Sequence, residues 1–327
     1  MMTPRENLHA FYEGGKFEWK PVGSDRKNFQ PEEICEYVAR AFVFQQEPFD
    51  KAKAGGMGWF DIEWKYEPEV GGSISLKPTL EDVSEWKEKM PFPDLTKIDW
   101  EGIAAKNAEY LKTDKAISFT VFTGYFERLI SLLSFEEAAM ELIMEDYQDD
   151  INELFTALTD YYIDFAEHFR KYFGADYVVI HDDWGTQRSA FFSPALHKKM
   201  IIPHLTRFVS ECHKMGLVVE MHSCGFIEEL IPNLISTGID TWPGQGLCDK
   251  RKLIKEYGDK FKFSVLANPK TAPASEAEAR QFAKDIYDEF RDKMVVFWCH
   301  PQKCGGPEYH KIIVDTLVEE GRKQFAN

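Results

Sequence analysis

The chain has 327 residues, of which 44% are hydrophobic and 14% aromatic, enough for one large α/β barrel or two modest domains. Lys and Arg number 39 against 55 Asp and Glu, and the net charge of −16 argues against nucleic acid or an anionic membrane surface as partner. No apolar run is long enough to span a bilayer and no secretory signal is apparent, so we expect a cytoplasmic protein. The six cysteines follow no disulfide-scaffold spacing, which predicts free thiols or metal ligands.

The first 115 residues predict an extension of helices and loops. Thr3 and Pro4 are typical of the start of a helix over 3–12, and Pro31 opens a second predicted helix that runs to about Gln45. Glycines flank the stretch from Trp59 to Trp64, which predicts a strand between two turns. That stretch is interpreted either as aromatic core packing or as a lid or substrate wall.

From residue 116 onward, predicted strands alternate with predicted helices. The strands are expected at 116–123, 177–184, 217–225, 238–242, 261–267 and 294–299. This alternation indicates parallel strands with helical crossovers, and two more strands from residues 1–115 would complete a (β/α)8 TIM barrel. We therefore expect one domain over 1–327, with an N-terminal helical and loop extension. An open doubly wound sheet is the alternative, but no glycine-rich nucleotide-binding motif follows a strand.

Reactive side chains cluster where the predicted strands end, which is where TIM barrels carry their active sites. The candidate catalytic residues are His181, Asp182, Asp183 and Glu220. A carboxylate at this edge could donate a proton or orient a substrate, whereas the alternative interpretation of residues 181–183 is a helix-capping loop. Glu220 shares a strand face with His222, which predicts a weak metal ligand or a partner of one. The candidate substrate-binding residues are Trp59, Trp184 and Gln245.

A histidine and a cysteine lie two residues apart at the end of one predicted strand, as His222 and Cys224. With Cys299 at the end of the last strand they form a His-Cys-Cys set, and three protein ligands leave the fourth tetrahedral position of a zinc ion open for catalysis. Cys304 is the reserve choice for the third ligand. The alternative is a buried cysteine beside a histidine whose hydrogen bonds are satisfied.

Three motifs carry a resemblance to a known family. They are His181-Asp-Asp-Trp-Gly-Thr-Gln187, Ser193-Pro194 and His222-Ser-Cys-Gly225, supported by Thr3-Pro-Arg-Glu-Asn7 and Gly71-Gly72. Across nearly its whole length the chain resembles the uroporphyrinogen decarboxylase superfamily. That resemblance implies a TIM barrel with a deep cleft at the carboxyl-terminal rim.

The sequence departs from the decarboxylases of that superfamily. They carry an Arg-Gln-Ala-Gly-Arg stretch for the tetrapyrrole carboxylates, and here the early arginines Arg5, Arg26 and Arg40 lie in different surroundings. The chain instead resembles the zinc-dependent corrinoid methyltransferase branch, which implies zinc on His222, Cys224 and Cys299. It also implies a corrinoid (cobalamin) cofactor carried by a partner protein.

The resemblance implies methyl transfer from a small substrate, with O-demethylation of a methoxylated aromatic favoured. A methylcobalamin:thiol methyltransferase of the coenzyme M type is also compatible, although its sulfonate would need a cationic anchor that the sequence does not locate. The same residues could serve a metal-free decarboxylase that uses Asp182 or Asp183, or a metal- or corrinoid-binding protein without catalysis.

Overall fold

A computed structural model describes residues 1–69 and 71–325. Contacts within the chain cluster into two compact units. The first unit comprises Met1–Lys27, Asp114–Ala116 and Asp240–Asn327, and the second comprises Asn28–Thr113 and Ile117–Ile239. Within the described residues, no helix combines the length and the apolar character that a membrane crossing requires.

The helices and strands alternate from residue 116 onward, as the sequence predicts. In chain order the α-helices are α1 (Pro4–Glu13), α2 (Cys35–Ala39), α3 (Trp86–Lys89), α4 (Trp100–Lys106), α5 (Ala108–Leu111), α6 (Phe126–Leu132), α7 (Phe135–Ile143), α8 (Glu145–Phe173), α9 (Pro194–Met200), α10 (Ile202–Lys214), α11 (Ile231–Ser236), α12 (Lys250–Tyr257), α13 (Glu276–Glu289) and α14 (Pro307–Phe325). The strands are β1 (Arg26–Asn28), β2 (Gly56–Met57), β3 (Glu63–Glu67), β4 (Gly72–Ser75), β5 (Ala116–Val121), β6 (Tyr177–His181), β7 (Val218–His222), β8 (Thr241–Trp242), β9 (Lys262–Leu266) and β10 (Val296–Trp298).

Parallel strands form the core of the second unit. β5 pairs with β6 and β6 pairs with β7, both in parallel register. These strands are rich in β-branched and aromatic residues and are buried along most of their length, as expected for strands covered on both faces. The long helix α8 packs on them through its aromatic face, where the Phe169 ring stacks on Phe119 with centroids 4.3 Å apart. The packing of α8 therefore supports the strands whose carboxyl ends lie at one edge of the sheet.

The first unit repeats the parallel arrangement. β8 pairs with β9 and β9 pairs with β10, again in parallel, and Val22 forms a parallel bridge with Phe297. The buried Lys20 donates to the carbonyls of Phe290 and Arg291, 2.6 and 2.7 Å away, which ties the N-terminal segment to the end of α13. Parallel strands separated by helices in both units confirm the α/β TIM-barrel class.

The extension over residues 28–115 differs from its prediction in two places. The predicted helix from Pro31 to Gln45 is reduced to α2, because Ala41 adopts φ +64° and the chain turns back so that Gln30 bridges Phe44. The left-handed conformation at Ala41 ends the helix.

The predicted strand from Trp59 to Trp64 is also wrong in its first half. Trp59–Asp61 is a 3₁₀ turn, and Phe60 and Asp61 have positive φ values of 61° and 55°. The strand β3 begins only at Glu63, and it pairs antiparallel with β2 and β4 in a separate three-stranded sheet. These three strands therefore do not supply the two extra barrel strands that the sequence predicts within residues 1–115.

Candidate metal centre

Two neighbouring parallel strands end with a histidine at the same level. β6 ends at His181, β7 ends at His222, and the two residues are direct partners in the strand register. Their imidazole rings stack with centroids 4.5 Å apart and an interplanar angle of 16°. Because the carboxyl ends of parallel strands share one edge of a sheet, this register brings two imidazoles together at the edge predicted for the active site.

The loops after the two strands approach each other at a pair of glycines. Gly225 has φ +88°, and a Cβ there would lie 2.1 Å from the carbonyl oxygen of Gly185. Only glycine combines this conformation with this approach. Next to the contact, the Cys224 N–H donates to Asp183 Oδ1 over 2.6 Å. The glycine pair therefore fixes the Cys224 thiol beside the Asp183 carboxylate.

Candidate ligand atoms form two overlapping sets, a cysteine–histidine pair and a group of three. Cys224 Sγ lies 3.6 Å from His222 Nε2. Two ligands of a tetrahedral zinc ion, with Zn–S about 2.3 Å and Zn–N about 2.0–2.1 Å, are themselves separated by roughly 3.6 Å. In the second set, one ligand atom each from His181, Asp183 and His222 lies within 4.8 Å of the others. His222 belongs to both sets.

A carboxylate orients the first of the two imidazoles. Glu127, in the first turn of α6, lies 2.7 Å through Oε2 from His181 Nδ1. Burial alone would lower the pKa of His181, but the Glu127 and Asp183 charges outweigh it and raise that pKa. Burial alone would likewise raise the pKa of Glu127, and His181, Arg40 and His222 together lower it. This contact leaves His181 Nε2 available, the arrangement in which a carboxylate commonly supports a metal-binding histidine.

The remaining ligand candidates of the two sets have pKa values shifted towards their uncharged forms. Burial, with the positive charge of His181, lowers the pKa of His222 to about 3, so this imidazole is neutral and has a lone pair to offer. Burial and the Asp183 charge raise the pKa of the Cys224 thiol to about 12. Burial and the Glu127 charge raise the pKa of Asp183. A bound cation would favour the ionised forms of both acidic ligands.

Asp182 has a structural position, which agrees with the helix-capping interpretation. Its buried carboxylate accepts hydrogen bonds from the backbone N–H groups of Tyr125, Phe126 and Glu127 at the start of α6, at 3.1, 3.1 and 2.8 Å. It also accepts from Trp184 Nε1 over 2.8 Å. Burial raises the pKa of Asp182 to about 7, although the hydrogen bonds from these donors act to lower it. Trp184, predicted to bind substrate, is 0% exposed.

Two further candidates lie within the packed interior of the second unit. Glu220 is buried in β7 and accepts from the Tyr177 hydroxyl over 2.8 Å. Trp59 is 4% exposed, and its ring makes edge contacts with Tyr161 and Phe165 at 5.3 and 4.9 Å. Trp59 therefore follows the core-packing interpretation.

The remaining predicted residues belong to the first unit. Cys299 and Cys304 are both buried, and their thiols are hydrogen-bonded to each other. Burial and Cys304 raise the pKa of Cys299 to about 12. Gln245 is half-buried in the loop after β8, where its carbonyl accepts from the Cys248 N–H. The choice of Cys299 as third zinc ligand, with Cys304 in reserve, stays a prediction.

Sequence reasoning does not find two charged residues of this region. Glu127 reads as an ordinary acidic residue in the first turn of a helix, where such residues are common. Arg40 stands out in the sequence only as an early arginine that lacks the context of a tetrapyrrole site. In the structure its guanidinium carbon lies 4.2 Å from the centre of the Trp64 ring. No local pattern links either residue to His181, because their proximity depends on the packing of α2 and α6.

Comparisons with known proteins add a fold-level likeness. No protein-family model matches the sequence. No curated protein sequence matches it either. Among solved structures, a methyltransferase from Methanosarcina mazei superposes with a TM-score of 0.66 at 15% identity, covering 100% of both chains.

Two further solved structures have TM-scores below 0.5. An endo-β-1,4-xylanase from Gloeophyllum trabeum gives 0.39 at 10% identity, covering 74% of this chain and 86% of that one. A xylose isomerase-like TIM-barrel protein from Mycobacterium smegmatis gives 0.32 at 11% identity, with 71% and 80% covered. At these identities the comparisons bear on the fold, and it is the full-length likeness to the Methanosarcina mazei protein that supports it.

Proposed function

We propose that this chain is a zinc-dependent methyltransferase that moves a methyl group from a methoxylated aromatic to the cobalt of a corrinoid carried by a partner protein. The observation that carries the proposal is the 3.6 Å separation of Cys224 Sγ and His222 Nε2, which suits two ligands of one tetrahedral zinc ion. The full-length likeness to a methyltransferase is consistent with it. Cys299 or Cys304 would complete the ligand set.

The reaction breaks the bond between the methyl carbon and the ether oxygen. The electron pair of that bond stays on the oxygen, which takes up one proton, and the pair of the new carbon–cobalt bond comes from Co(I). A zinc ion held by His222 and Cys224 would supply Lewis acidity towards the ether oxygen. His181, whose pKa the Glu127 charge raises, is the side chain that we assign to hold the proton.

This assignment requires the sulfur-containing ligand set. If the metal instead took the set of His181, Asp183 and His222, His181 Nε2 would be occupied and could not hold that proton. The sulfur set is favoured because thiolate and imidazole together suit zinc, whereas two imidazoles and a carboxylate also suit several divalent metals besides zinc.

Metal analysis of the purified protein tests the proposal. We expect about one zinc ion per chain, lost in Cys224→Ser and in one of the two variants Cys299→Ser and Cys304→Ser. Cys212→Ser is the matched control, since Cys212 is a buried thiol on α10 outside the predicted set. A Cys224→Ser protein that keeps its metal would contradict the ligand assignment.

Activity separates this function from its competitors. Methoxyarenes should methylate free cob(I)alamin when the zinc-loaded protein is present, with a rate that falls in Cys224→Ser. Transfer to a coenzyme M-type thiol without any ether cleavage would favour the thiol methyltransferase. Decarboxylation by the metal-free protein would favour the decarboxylase, and zinc binding with neither activity would favour a binding protein.

A further inference from the structure

Helix α7 exposes a cluster of large apolar side chains. Its inner face carries the buried Ala138 and Leu142, together with Glu141, whose carboxylate accepts from the Val83 N–H over 3.0 Å. The exposed side chains of the same segment are also apolar, with exposed fractions of 48, 55, 61 and 41% for Phe135, Met140, Ile143 and Met144. A helix with apolar side chains on both faces is normally covered on both. In the described part of the chain, the second face of α7 stays open to solvent.

The exposed side chains form one stripe along the helix. Phe135, Ala139 and Ile143 follow one another four residues apart, and Met140 lies three residues before Ile143, so they share one side of α7. The Phe135 ring is held 4.9 Å from that of Phe191, centroid to centroid. The stripe is about 12 Å long, which suits a second chain segment lying along it. Methionine side chains adapt readily to such a segment.

Acidic residues without cationic partners border this stripe. Between Leu129 and Phe169 the sequence contains no Lys or Arg, but Asp and Glu recur throughout. Farther along α8, Glu153 pairs with Lys87 and Asp160 pairs with Arg207. Lys199 donates to Gln148 rather than to a carboxylate. Three exposed acids at the two ends of α7 form no ion pair among the described residues, namely Glu136, Glu145 and Asp146.

This charge distinguishes between the possible occupants of the stripe. A second copy of the chain, packed through the same face, would bring identical carboxylates together, and opposed like charges disfavour association. An anionic membrane surface is repelled for the same reason. A basic protein segment is attracted by the acids and can place its own apolar side chains on the stripe.

We propose that α7 is the docking surface for a basic amphipathic segment of a partner protein. The apolar side chains of that segment pack on Phe135, Met140 and Ile143, and its Lys and Arg side chains meet the carboxylates at the two ends of the helix. The partner is defined by this chemistry alone, and the inference does not depend on zinc binding or on methyl transfer.

Binding of synthetic peptides to the full-length protein tests the inference. The probe is a dye-labelled peptide of about 18 residues, long enough to form a helix, with leucines on one face and lysines on the other. A second peptide carries glutamates in place of the lysines. Fluorescence anisotropy should show that the lysine peptide binds at about 0.05 M salt and more weakly at about 0.5 M, and that the glutamate peptide does not bind.

Variants assign the binding to α7. Met140→Ser combined with Ile143→Ser should weaken binding of the lysine peptide at least ~10-fold, because apolar anchors dominate such contacts. Glu136→Gln combined with Glu145→Gln should weaken it at low salt and reduce its salt dependence. Met57→Ser combined with Leu76→Ser is the matched control, since these side chains are 56 and 49% exposed and lie at the separate three-stranded sheet. Circular dichroism melting checks that each variant is folded.

Several results would overturn the inference. Failure of the lysine peptide to bind at low salt would do so directly. Undiminished binding by the folded Met140→Ser, Ile143→Ser variant would show that the peptide responds only to the net charge of −16. Dimerisation in sedimentation velocity that Ile143→Glu abolishes would assign the stripe to a second copy of the chain. Binding to phosphatidylserine vesicles that the same substitution abolishes would assign it to a membrane.

Discussion

Substitution of Gly225 by alanine should disturb the candidate metal centre without touching a ligand. The new Cβ would meet the backbone of Gly185, 2.1 Å from its carbonyl oxygen and 2.2 Å from its carbonyl carbon. Atoms in van der Waals contact lie about 3.5 Å apart, so the two loops would have to separate by roughly 1 Å or more. The contacting atoms of Gly185 are backbone atoms, so no flexible side chain can move to relieve the overlap.

The expected cost follows from the contacts that this separation breaks. An alanine in the left-handed region costs about 1 kcal/mol by itself. The loops also lose the Cys224 N–H bond to Asp183 and the bond from the Phe226 N–H to the Thr186 carbonyl, at 2.6 and 2.7 Å. With about 1 kcal/mol for the neutral bond and up to about 2 for the charged one, the free energy of unfolding should fall by roughly 3–4 kcal/mol.

Gly174→Ala is the matched control for backbone strain. Gly174 ends α8 with φ +63°, and an added Cβ would have no atom within 4 Å. Urea unfolding should therefore show a loss of only about 1 kcal/mol for the control. Zinc titration with a chromophoric competitor should show at least ~10-fold weaker binding for Gly225→Ala alone, the scale of lost ligand support. Equal stability and equal zinc affinity in the two variants would refute the loop-contact argument.

Three further predictions concern the surrounding residues. Asp182→Ala should lower the free energy of unfolding by about 3 kcal/mol, because it leaves the backbone N–H donors at the start of α6 without an acceptor. Urea unfolding measures this loss, and a loss below ~1 kcal/mol would contradict the prediction. Glu127→Gln should keep about one zinc per chain in metal analysis while methyl transfer slows roughly 100-fold; loss of zinc would instead favour the His181, Asp183 and His222 set. Burial lowers the pKa of His197 to about 3 in the folded protein, whereas the unfolded value is about 6.5. The unfolded chain therefore binds the proton first, and the free energy of unfolding falls as the pH drops from about 6.5 towards 3. His197→Phe should remove about 2 kcal/mol of that loss between pH 6.5 and 5 in urea titrations, and an unchanged pH profile would count against it.

Hydrophobic patterning predicts the barrel portion of the fold well. The strands and helices after residue 116 have side chains whose periodicity matches their burial, so local sequence and tertiary environment agree. The extension behaves differently, because α2 ends at a left-handed Ala41 and the turn at Trp59–Asp61 holds Phe60 and Asp61 at positive φ. Positive φ is rare for alanine and phenylalanine, so tertiary packing rather than propensity maintains Ala41 and Phe60 in these conformations.

The sequence likewise predicts one part of the candidate site and not the rest. The sequence places His222 and Cys224 together because two positions on one strand share a face. It cannot give the register between β6 and β7, which decides that His181 faces His222. The contribution of Glu127 depends on a helix that begins far from either strand in the chain.

The three consecutive residues His181, Asp182 and Asp183 show how one strand end performs separate tasks. Alternation along a strand sends the first and third side chains to one side and the second to the opposite side. Asp182 accordingly caps α6 and accepts a hydrogen bond from the Glu127 N–H. The Glu127 carboxylate is in turn hydrogen-bonded to His181 Nδ1. The cap therefore positions the group that orients the imidazole. Removing the Asp182 carboxylate should loosen Glu127 as well as the helix, so a residue that need not touch substrate can still influence the metal centre.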